Sequence, residues 1–249
     1  MINLILNGAC GHMGRTIIKA AEGREDCRIV CGFDLQDSQE FSFPVYRDFH
    51  QYPGGDAVVI DFSHPSALSG VLAFAQEHSL PAVIATTGLT LEQKQEIAEA
   101  AKNIPVFFSA NMSLGVNLLI DLAKKAQAVL DGFDIEIIER HHNQKLDAPS
   151  GTALAIADAL NQENDYDYIY DRHARRQKRS PNEIGIHAIR GGTIVGEHTV
   201  LFAGKDEMIE LKHTAASKEV FATGSLRAAL FLAQQPVGLY SMTDLVQTL

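Results

Sequence analysis

Cysteine is scarce in this chain: three residues in 249, Cys10, Cys27 and Cys31, with no Cys-x-x-Cys pair. An odd count without paired spacing argues against a disulfide framework and against a zinc site. Cys31 stands in an apolar run and reads as a small core residue. Long hydrophobic runs are missing too. No stretch of 18 apolar residues occurs, so no helix is expected to span a membrane. The opening MINLILNGACGHMG lacks a charged leading region and a long hydrophobic core, so it reads as a first β-strand and not a secretory signal. The expected location is the cytoplasm. Basic residues are outnumbered: 21 Lys and Arg against 31 Asp and Glu leave a net charge of −10. That field disfavours non-specific nucleic-acid binding but admits an anionic small molecule in a locally positive pocket.

One basic run opposes the total, Arg172, His173, Arg175, Arg176, Lys178 and Arg179, inside NDYDYIYDRHARRQKRSPNE. It has no apolar period, no stacking platform and no nucleic-acid motif, so it reads as a solvated or interface loop.

What is present begins with alternation. NLILN (3–7), CRIVCGF (27–33), DAVVIDFS (56–63), PAVIATT (81–87) and IPVFFSA (104–110) are short apolar β-rich runs. MGRTIIKAAEG, a stretch from Pro65 to Glu77, and LEQKQEIAEAAKN are helical segments between them. Strands alternating with helices imply a parallel sheet covered on both faces. After Asn111 the character changes. LGVNLLIDLAKKAQAVL (114–130) and TALAIADALNQ are helical, FDIEIIERHH is a strand, and GIHAIRGGTIVGEHTVLFA and EMIELKHTAA suggest antiparallel hairpins. LRAALFLAQQ and LVQTL return to helix. The expected architecture is α/β: a Rossmann-like parallel-sheet domain over 1–112 and 222–249, with an α+β domain inserted over 113–221.

The first turn, LNGACGHMGRTI, spaces glycines at 8, 11 and 14. This is a variant of the Gly-x-Gly-x-x-Gly dinucleotide turn. One glycine turns the chain, one lets a diphosphate approach the backbone, and one packs helix on strand. The diphosphate then lies at a helix N-terminus, where free N–H groups favour negative charge. The motif follows a strand, opens a helix, and has an acid, Asp34, 20 residues after Gly14. A carboxylate there accepts from a ribose 2′-hydroxyl and repels a 2′-phosphate, and the next residue is Leu35 rather than arginine. NADH is therefore expected in preference to NADPH, although Arg15 or His12 could still serve a phosphate. Two further loops of small residues, Ala85-Thr86-Thr87-Gly88 and Ser109-Ala110-Asn111-Met112, follow parallel strands, where such sheets bind ligands.

HHNQKLDAPSGTALA, from His141, gathers two histidines, Lys145, Asp147 and Pro149-Ser150-Gly151-Thr152 before a helix. Ser150 or Thr152 supplies a cap, and Gly151 lets an anion, naturally a carboxylate, touch backbone N–H groups. Lys145 could neutralise that carboxylate or supply a proton. A histidine titrating near neutrality suits general-acid work, with its neighbour orienting substrate. A metal is not expected, because no convincing third ligand accompanies the histidine pair. Beside a nicotinamide, the arrangement means hydride from the cofactor and a proton from the protein.

The run Glu136 to Ala153, EIIERHHNQKLDAPSGTA, resembles the motif of the 4-hydroxy-tetrahydrodipicolinate (dihydrodipicolinate) reductase family of the diaminopimelate route to lysine. The resemblance runs the whole chain, through the Gly8–Gly14 turn, Ala85 to Gly88, Asn111 to Asn117, and Gly196-Glu197-His198-Thr199. It implies a homotetramer, with a nucleotide domain and an inserted substrate-binding and tetramerisation domain. The implied substrate is a cyclic dicarboxylate formed from aspartate semialdehyde and pyruvate. By matching positions it implies His141 as proton donor and Lys145 as catalytic partner. His142, Ser150, Gly151 and Thr152 would hold the substrate, with Arg227 as a further basic residue. Gly8, Ala9, Cys10, Gly11, His12, Met13, Asp34, Ala85, Thr86, Thr87, Ser109, Ala110, Asn111 and Met112 would surround the cofactor. Two positions depart from some members: Leu35, where an arginine follows the ribose acid, and Met112, where an aromatic stands. Two other readings compete: a different nicotinamide-dependent dehydrogenase of similar architecture, and a non-catalytic dinucleotide sensor.

Overall fold

A computed structural model of the chain describes residues 1–36, 38, 40–173 and 175–248. The chain forms two compact units, Met1–Leu114 with Lys218–Leu249, and Gly115–Ser217.

The first unit begins β1 (Ile2–Asn7), α1 (His12–Ala21), β2 (Cys27–Phe33), β3 (Val45–Tyr46), β4 (Val58–Asp61), α2 (Leu68–Glu77), β5 (Ala82–Ile84), α3 (Leu91–Ala100) and β6 (Pro105–Phe108). The second unit carries α4 (Leu114–Val129), β7 (Asp134–His141), α5 (Gly151–Leu160), β8 (Asp167–Ile169), β9 (Glu183–Arg190), β10 (Gly196–Ala203) and β11 (Met208–Ala215). The chain then returns to the first unit as α6 (Glu219–Leu232), β12 (Gly238–Tyr240) and α7 (Met242–Gln247).

In the first unit seven parallel strands lie in the order β12-β6-β5-β4-β1-β2-β3. Side chains alternate across a strand, so each apolar run feeds two cores. Leu4, Leu6, Val58, Ile60, Val83 and Phe107 pack with α1, α6 and α7 residues such as Ile17, Leu226 and Leu245. Ile5, Val59, Ala82, Ile84 and Val106 pack with Val71 and Leu72 of α2 and Ile97 of α3. Each large apolar side chain so buried contributes roughly 1.5–3 kcal/mol. Helix α3 starts on a capping box in which Thr90 accepts from Gln93 N and Gln93 reaches back to Thr90 N. Helix α6 approaches the chain closely at Gly224, where a Cβ would fall 1.7 Å from the Met112 carbonyl oxygen.

The second sheet is mixed, in the order β11-β10-β7-β9-β8. Strand β10 runs antiparallel to β11 and to β7, while β9 runs parallel to β7 and β8. One expectation changes here. GIHAIRGG and GEHTVLFA do not pair as a hairpin; β7 lies between them, and the hairpin is β10–β11. Strand β7 has an inner row facing the helices and an outer row available to the second face, so it serves as the central strand. Ile135 and Ile137 pack with Leu119 and Ala123 of α4 and Ile156 of α5. Strand β8 falls inside the stretch expected to be loop, and β3 and β12 are also additions; each has two or three residues, too few to show a period. The helix expected from Pro65 opens with a 3-10 turn, Pro65–Ala67, before α2.

Candidate functional site

In the first unit the site begins where the sheet order reverses, since β1 has β2 on one side and β4 on the other. Such reversals open a crevice at the strands' carboxyl ends. Gly8 has φ +82°, and a Cβ there would fall 2.8 Å from the Phe62 carbonyl oxygen. A Cβ on Gly14 would fall 2.2 Å from the Gly8 carbonyl oxygen, so the close start of α1 demands glycine. Gly11 meets only the Gly8 oxygen, at 3.3 Å, which leaves its outer side bare. No side chain caps α1 and no acid stands in its first turn. The turn is thus a backbone cradle that suits a diphosphate. Asp34 closes its edge: one carboxylate oxygen accepts from Cys10 N (2.9 Å), the other from Gln36 N (3.2 Å).

Three loops far apart in sequence meet around a cavity of about 350 Å³. Met13, Ala85, Thr86, Thr87, Ala110 and Met112 line it together with Phe62, Ser63 and Phe221, which sequence reasoning missed. Beneath them lies a buried hub, also missed. Asp61, fully buried, accepts from Asn7 Nδ2 (2.8 Å), Ser63 Oγ (2.6 Å) and Thr86 Oγ1 (2.6 Å), tying together the ends of β1, β4 and β5. The Thr86 hydroxyl is therefore spent on Asp61. Ala9 is likewise turned inward and fully buried, its Cβ against Gly32. Gly11, His12, Thr87 and Ala110 are exposed, and Ser109 and Asn111 half-buried.

In the second unit the site grows from the inner row of β7. Period 2 places Ile135, Ile137, Glu139 and His141 on one face, all buried. The row changes from apolar to ionisable where α5 begins. Glu139 is fully buried, a position a carboxylate holds only when paired and hydrogen-bonded. Arg190 of β9 grips it with two N–H groups, at 2.7 and 2.6 Å. His141 Nδ1 donates to it at 2.6 Å, and Ser150 N at 3.0 Å. Burial alone would push the Glu139 carboxyl up; Arg190, His141 and the Ser150 N–H together outweigh it and hold it below the usual carboxylate range. Ionised Glu139 can only accept, which fixes the proton of His141 on Nδ1 and directs Nε2 away. Gly196 flanks that Nε2; a Cβ there would fall 3.1 Å from it.

A second imidazole stands edge-on to His141, His198 at 5.2 Å between ring centroids. Ser150 Oγ accepts from Ala153 N (3.2 Å) and shares a hydrogen bond with His198 Nε2 (3.0 Å). Burial, reinforced by His141, pushes His198 down to about 4, so it is neutral at neutral pH. Ser150 is 2 % exposed, with backbone and hydroxyl both committed. It caps α5 and joins Glu139 to His198. Gly151 is exposed, with open space where a Cβ would stand, and Thr152 is half-buried. Lys145 Nζ lies 2.8 Å from Asp147 Oδ1. That ammonium foremost, with the Gly151 N–H, holds the Asp147 carboxyl low. His142, half-buried, follows β7 directly. Arg227 belongs to the first unit, exposed on α6.

His141, Lys145, Ser150 and Gly151 are thus gathered in one place, with Glu139, Arg190 and His198 added. The alternation IEIIERH signalled Glu139, an acid on an inner row. Arg190 lies 51 residues from Glu139 and gave no local signal. Of the basic run, Arg172 and Arg175 meet Glu183, and Arg179 bonds Asp134 and Glu136, so these cations are engaged internally. No group of three or more His, Cys, Asp or Glu suited to a metal occurs among the described residues.

A parallel doubly covered sheet with a glycine cradle, joined to a mixed-sheet unit bearing a carboxylate-held imidazole, defines a dinucleotide-dependent oxidoreductase of the Rossmann type. Residues 2–112 match the family description "Dihydrodipicolinate reductase, N-terminus", and residues 115–246 match "Dihydrodipicolinate reductase, C-terminus". The chain belongs to the dihydrodipicolinate reductase family. It is 51% identical over 249 residues to the 4-hydroxy-tetrahydrodipicolinate reductase of Caldanaerobacter subterraneus subsp. tengcongensis, covering 99% of both chains. It is 53% identical over 251 residues to that of an Exiguobacterium species, covering 99% of this chain and 96% of the relative. Its fold matches a dipicolinate-bound dihydrodipicolinate reductase from Paenisporosarcina sp. TG-14, with TM-score 0.81, 24% identity and 97% of each chain covered.

Proposed function

We propose that this chain catalyses the NAD(P)H-dependent reduction of 4-hydroxy-tetrahydrodipicolinate to tetrahydrodipicolinate in lysine and diaminopimelate biosynthesis. One observation carries the reading: His141 is held by the buried Glu139 at Nδ1, beside Lys145 and the open Gly151 turn. Substrate, NAD(P)H and a proton give product, NAD(P)⁺ and water. Bound NAD(P)H supplies the hydride. Gly8 to Met13 would hold its diphosphate, Asp34 its adenine ribose, and the 85–87 and 109–112 loops its nicotinamide half. Asp34 supports a preference for NADH.

In this reading the substrate carboxylates are held by the Gly151 and Thr152 start of α5, by His142, and by Lys145 once it leaves Asp147. Arg227 supplies a further cation. Loss of the substrate's 4-hydroxyl as water gives the conjugated C=C–C=N system that accepts the hydride; His141 then gives a proton from Nε2 to the enamine-like anion left after reduction, and Lys145 stabilises that anion or returns the proton. Glu139 offsets the charge of the imidazole while it carries two protons. The 113–221 segment would form the substrate and tetramer domain. Its sheet's outer face carries Ile138, Leu201, Ile189 and Met208, partly or well exposed, which supports a homotetramer. The free Cys10, Cys27 and Cys31 suit the cytoplasm.

The test follows nicotinamide absorbance while the preceding synthase makes substrate from pyruvate and aspartate semialdehyde, with NADH and NADPH in parallel. Substrate-dependent oxidation is expected, with a lower KM for NADH. Folded protein that binds NADH yet oxidises neither cofactor refutes the reductase reading, and pyridine-2,6-dicarboxylate (dipicolinate) binding then reports whether the substrate site survives.

A further inference from the structure

A cation beside the ribose-binding edge is already paired. Arg15, in the first turn of α1, donates from Nε to the Cys10 carbonyl oxygen (3.2 Å) and from Nη1 to Glu40 Oε2 (2.6 Å). Its guanidinium carbon lies 5.4 Å from the centre of the Phe41 ring. Phe41 stacks on Phe43 at 5.3 Å and 9°, and Phe43 reaches the backbone of β2, 3.4 Å from where a Gly32 Cβ would stand. The aromatic pair is thus a platform fixed to the sheet, and Arg15 lies along it. The same turn presents Cys10, whose N–H is held by Asp34, so Arg15 and Asp34 are anchored to one residue and feel each other's charge.

The local charge count has a direct consequence for cofactor choice. Among the described residues of this edge, Asp34 and Glu40 bring two negative charges, Arg15 one positive, and Leu35 none. A ribose 2′-hydroxyl asks only for an acceptor. A 2′-phosphate brings nearly two negative charges of its own and needs a cation whose charge is not already compensated. Arg15 has the right chemistry, a rigid fork already oriented by an aromatic face, but Glu40 already neutralises its charge and takes an Nη1 donor. Both side chains are about half exposed or more, so the pair itself stabilises the fold little. Its effect is on what can bind beside it.

We propose that Glu40 sets the cofactor choice of this chain, engaging Arg15 so that the ribose edge accepts a 2′-hydroxyl and disfavours a 2′-phosphate. The inference rests on the dinucleotide reading of the glycine turn. The full-length protein, Glu40→Gln, and the double variant Glu40→Gln/Arg15→Gln are titrated calorimetrically with NADH, NADPH, 5′-AMP and 2′,5′-ADP. Glu40→Gln is expected to tighten NADPH and 2′,5′-ADP on the order of tenfold, the yield of one charge-assisted contact. NADH and 5′-AMP should stay within about twofold, and the double variant should lose the gain. Equal changes for both cofactors, no change, or a gain that survives loss of Arg15 overturns the proposal while NADH binding keeps the dinucleotide reading. A wild-type chain that binds neither cofactor overturns both.

Discussion

Glu139→Gln isolates the part of the site that the carboxylate charge performs. The substitution keeps shape and removes one charge. In the wild type both oxygens only accept, serving His141 Nδ1, two Arg190 N–H groups and Ser150 N. A glutamine amide has one accepting oxygen, and its nitrogen must point N–H bonds at a donor. Arg190 loses half its fork whichever oxygen the amide nitrogen replaces; at the Oε2 position His141 must also turn over to the tautomer with Nδ1 as acceptor, and at the Oε1 position Ser150 N loses its acceptor. Breaking a buried pair by removing one partner costs about 3–5 kcal/mol. Arg190 is 19% exposed and can recruit water, so about 3 kcal/mol is expected. Typical domain stabilities of about 5–15 kcal/mol exceed that, so the variant should stay folded. Turnover should fall about a hundredfold or more, the worth of a positioned general acid. Denaturant midpoint, steady-state kinetics and ¹⁵N histidine spectra report the three effects separately. Activity within threefold of wild type, with the His141 tautomer unchanged, would refute the role given to Glu139.

Three further outcomes follow from the geometry. His198 takes a proton at 6.5 when unfolded but only at about 4 when folded, so protonation favours the unfolded state. Stability should fall by about 3 kcal/mol between those pH values, and level below them, as His198 contributes it. His198→Gln should flatten much of that slope in urea titrations at stepped pH; His213, also held low by burial, and carboxylates held low by their partners, such as Glu139, contribute to the remainder. Asp147→Asn removes the exposed partner of Lys145 and should change stability by under about 1 kcal/mol. It should tighten dipicolinate severalfold in calorimetry, because the Lys145 ammonium is released; weaker binding would mean that Asp147 orients Lys145 instead. Gly14→Ala gains about 1 kcal/mol of helix propensity but forces a Cβ to 2.2 Å from a carbonyl oxygen, so net destabilisation of about 2 kcal/mol and loss of NADH binding are expected. Thermal unfolding with and without NADH checks both.

Most of the scaffold was legible because its signals are local. The strands of the first unit are apolar runs bounded by turns, and the glycine spacing is dictated by contacts within one turn. HHNQKLDAPSGTALA was legible because it folds back on itself: Lys145 meets Asp147 two residues on, and Ser150 caps its own helix. What escaped lies in pairings between distant strands. Nothing near Ile189 marks Arg190 as the partner of Glu139, and β7 separates β9 from β10 although the sequence between them invites a hairpin. Asp61 was passed over because an acid ending an apolar strand resembles any strand terminus. Only the approach of Asn7, Ser63 and Thr86 shows why it can be fully buried. That Ser150 also joins Glu139 to His198 was not legible, because His198 lies 48 residues on, in another strand.

The inner row of β7 imposes parity on the acid-base pair. Glu139 and His141 share an odd register with Ile135 and Ile137, while Glu136, Ile138 and Arg140 hold the even one. Deleting or inserting a single residue between Asp134 and Glu139 would exchange the two registers at the far end of the strand. Arg140 would turn inward, and the imidazole with its carboxylate would face out, even with composition almost unchanged. Length changes in this strand can preserve chemistry only in steps of two. The segment from Asn143 to Pro149 has no such arithmetic, since it is irregular and answers only to reach.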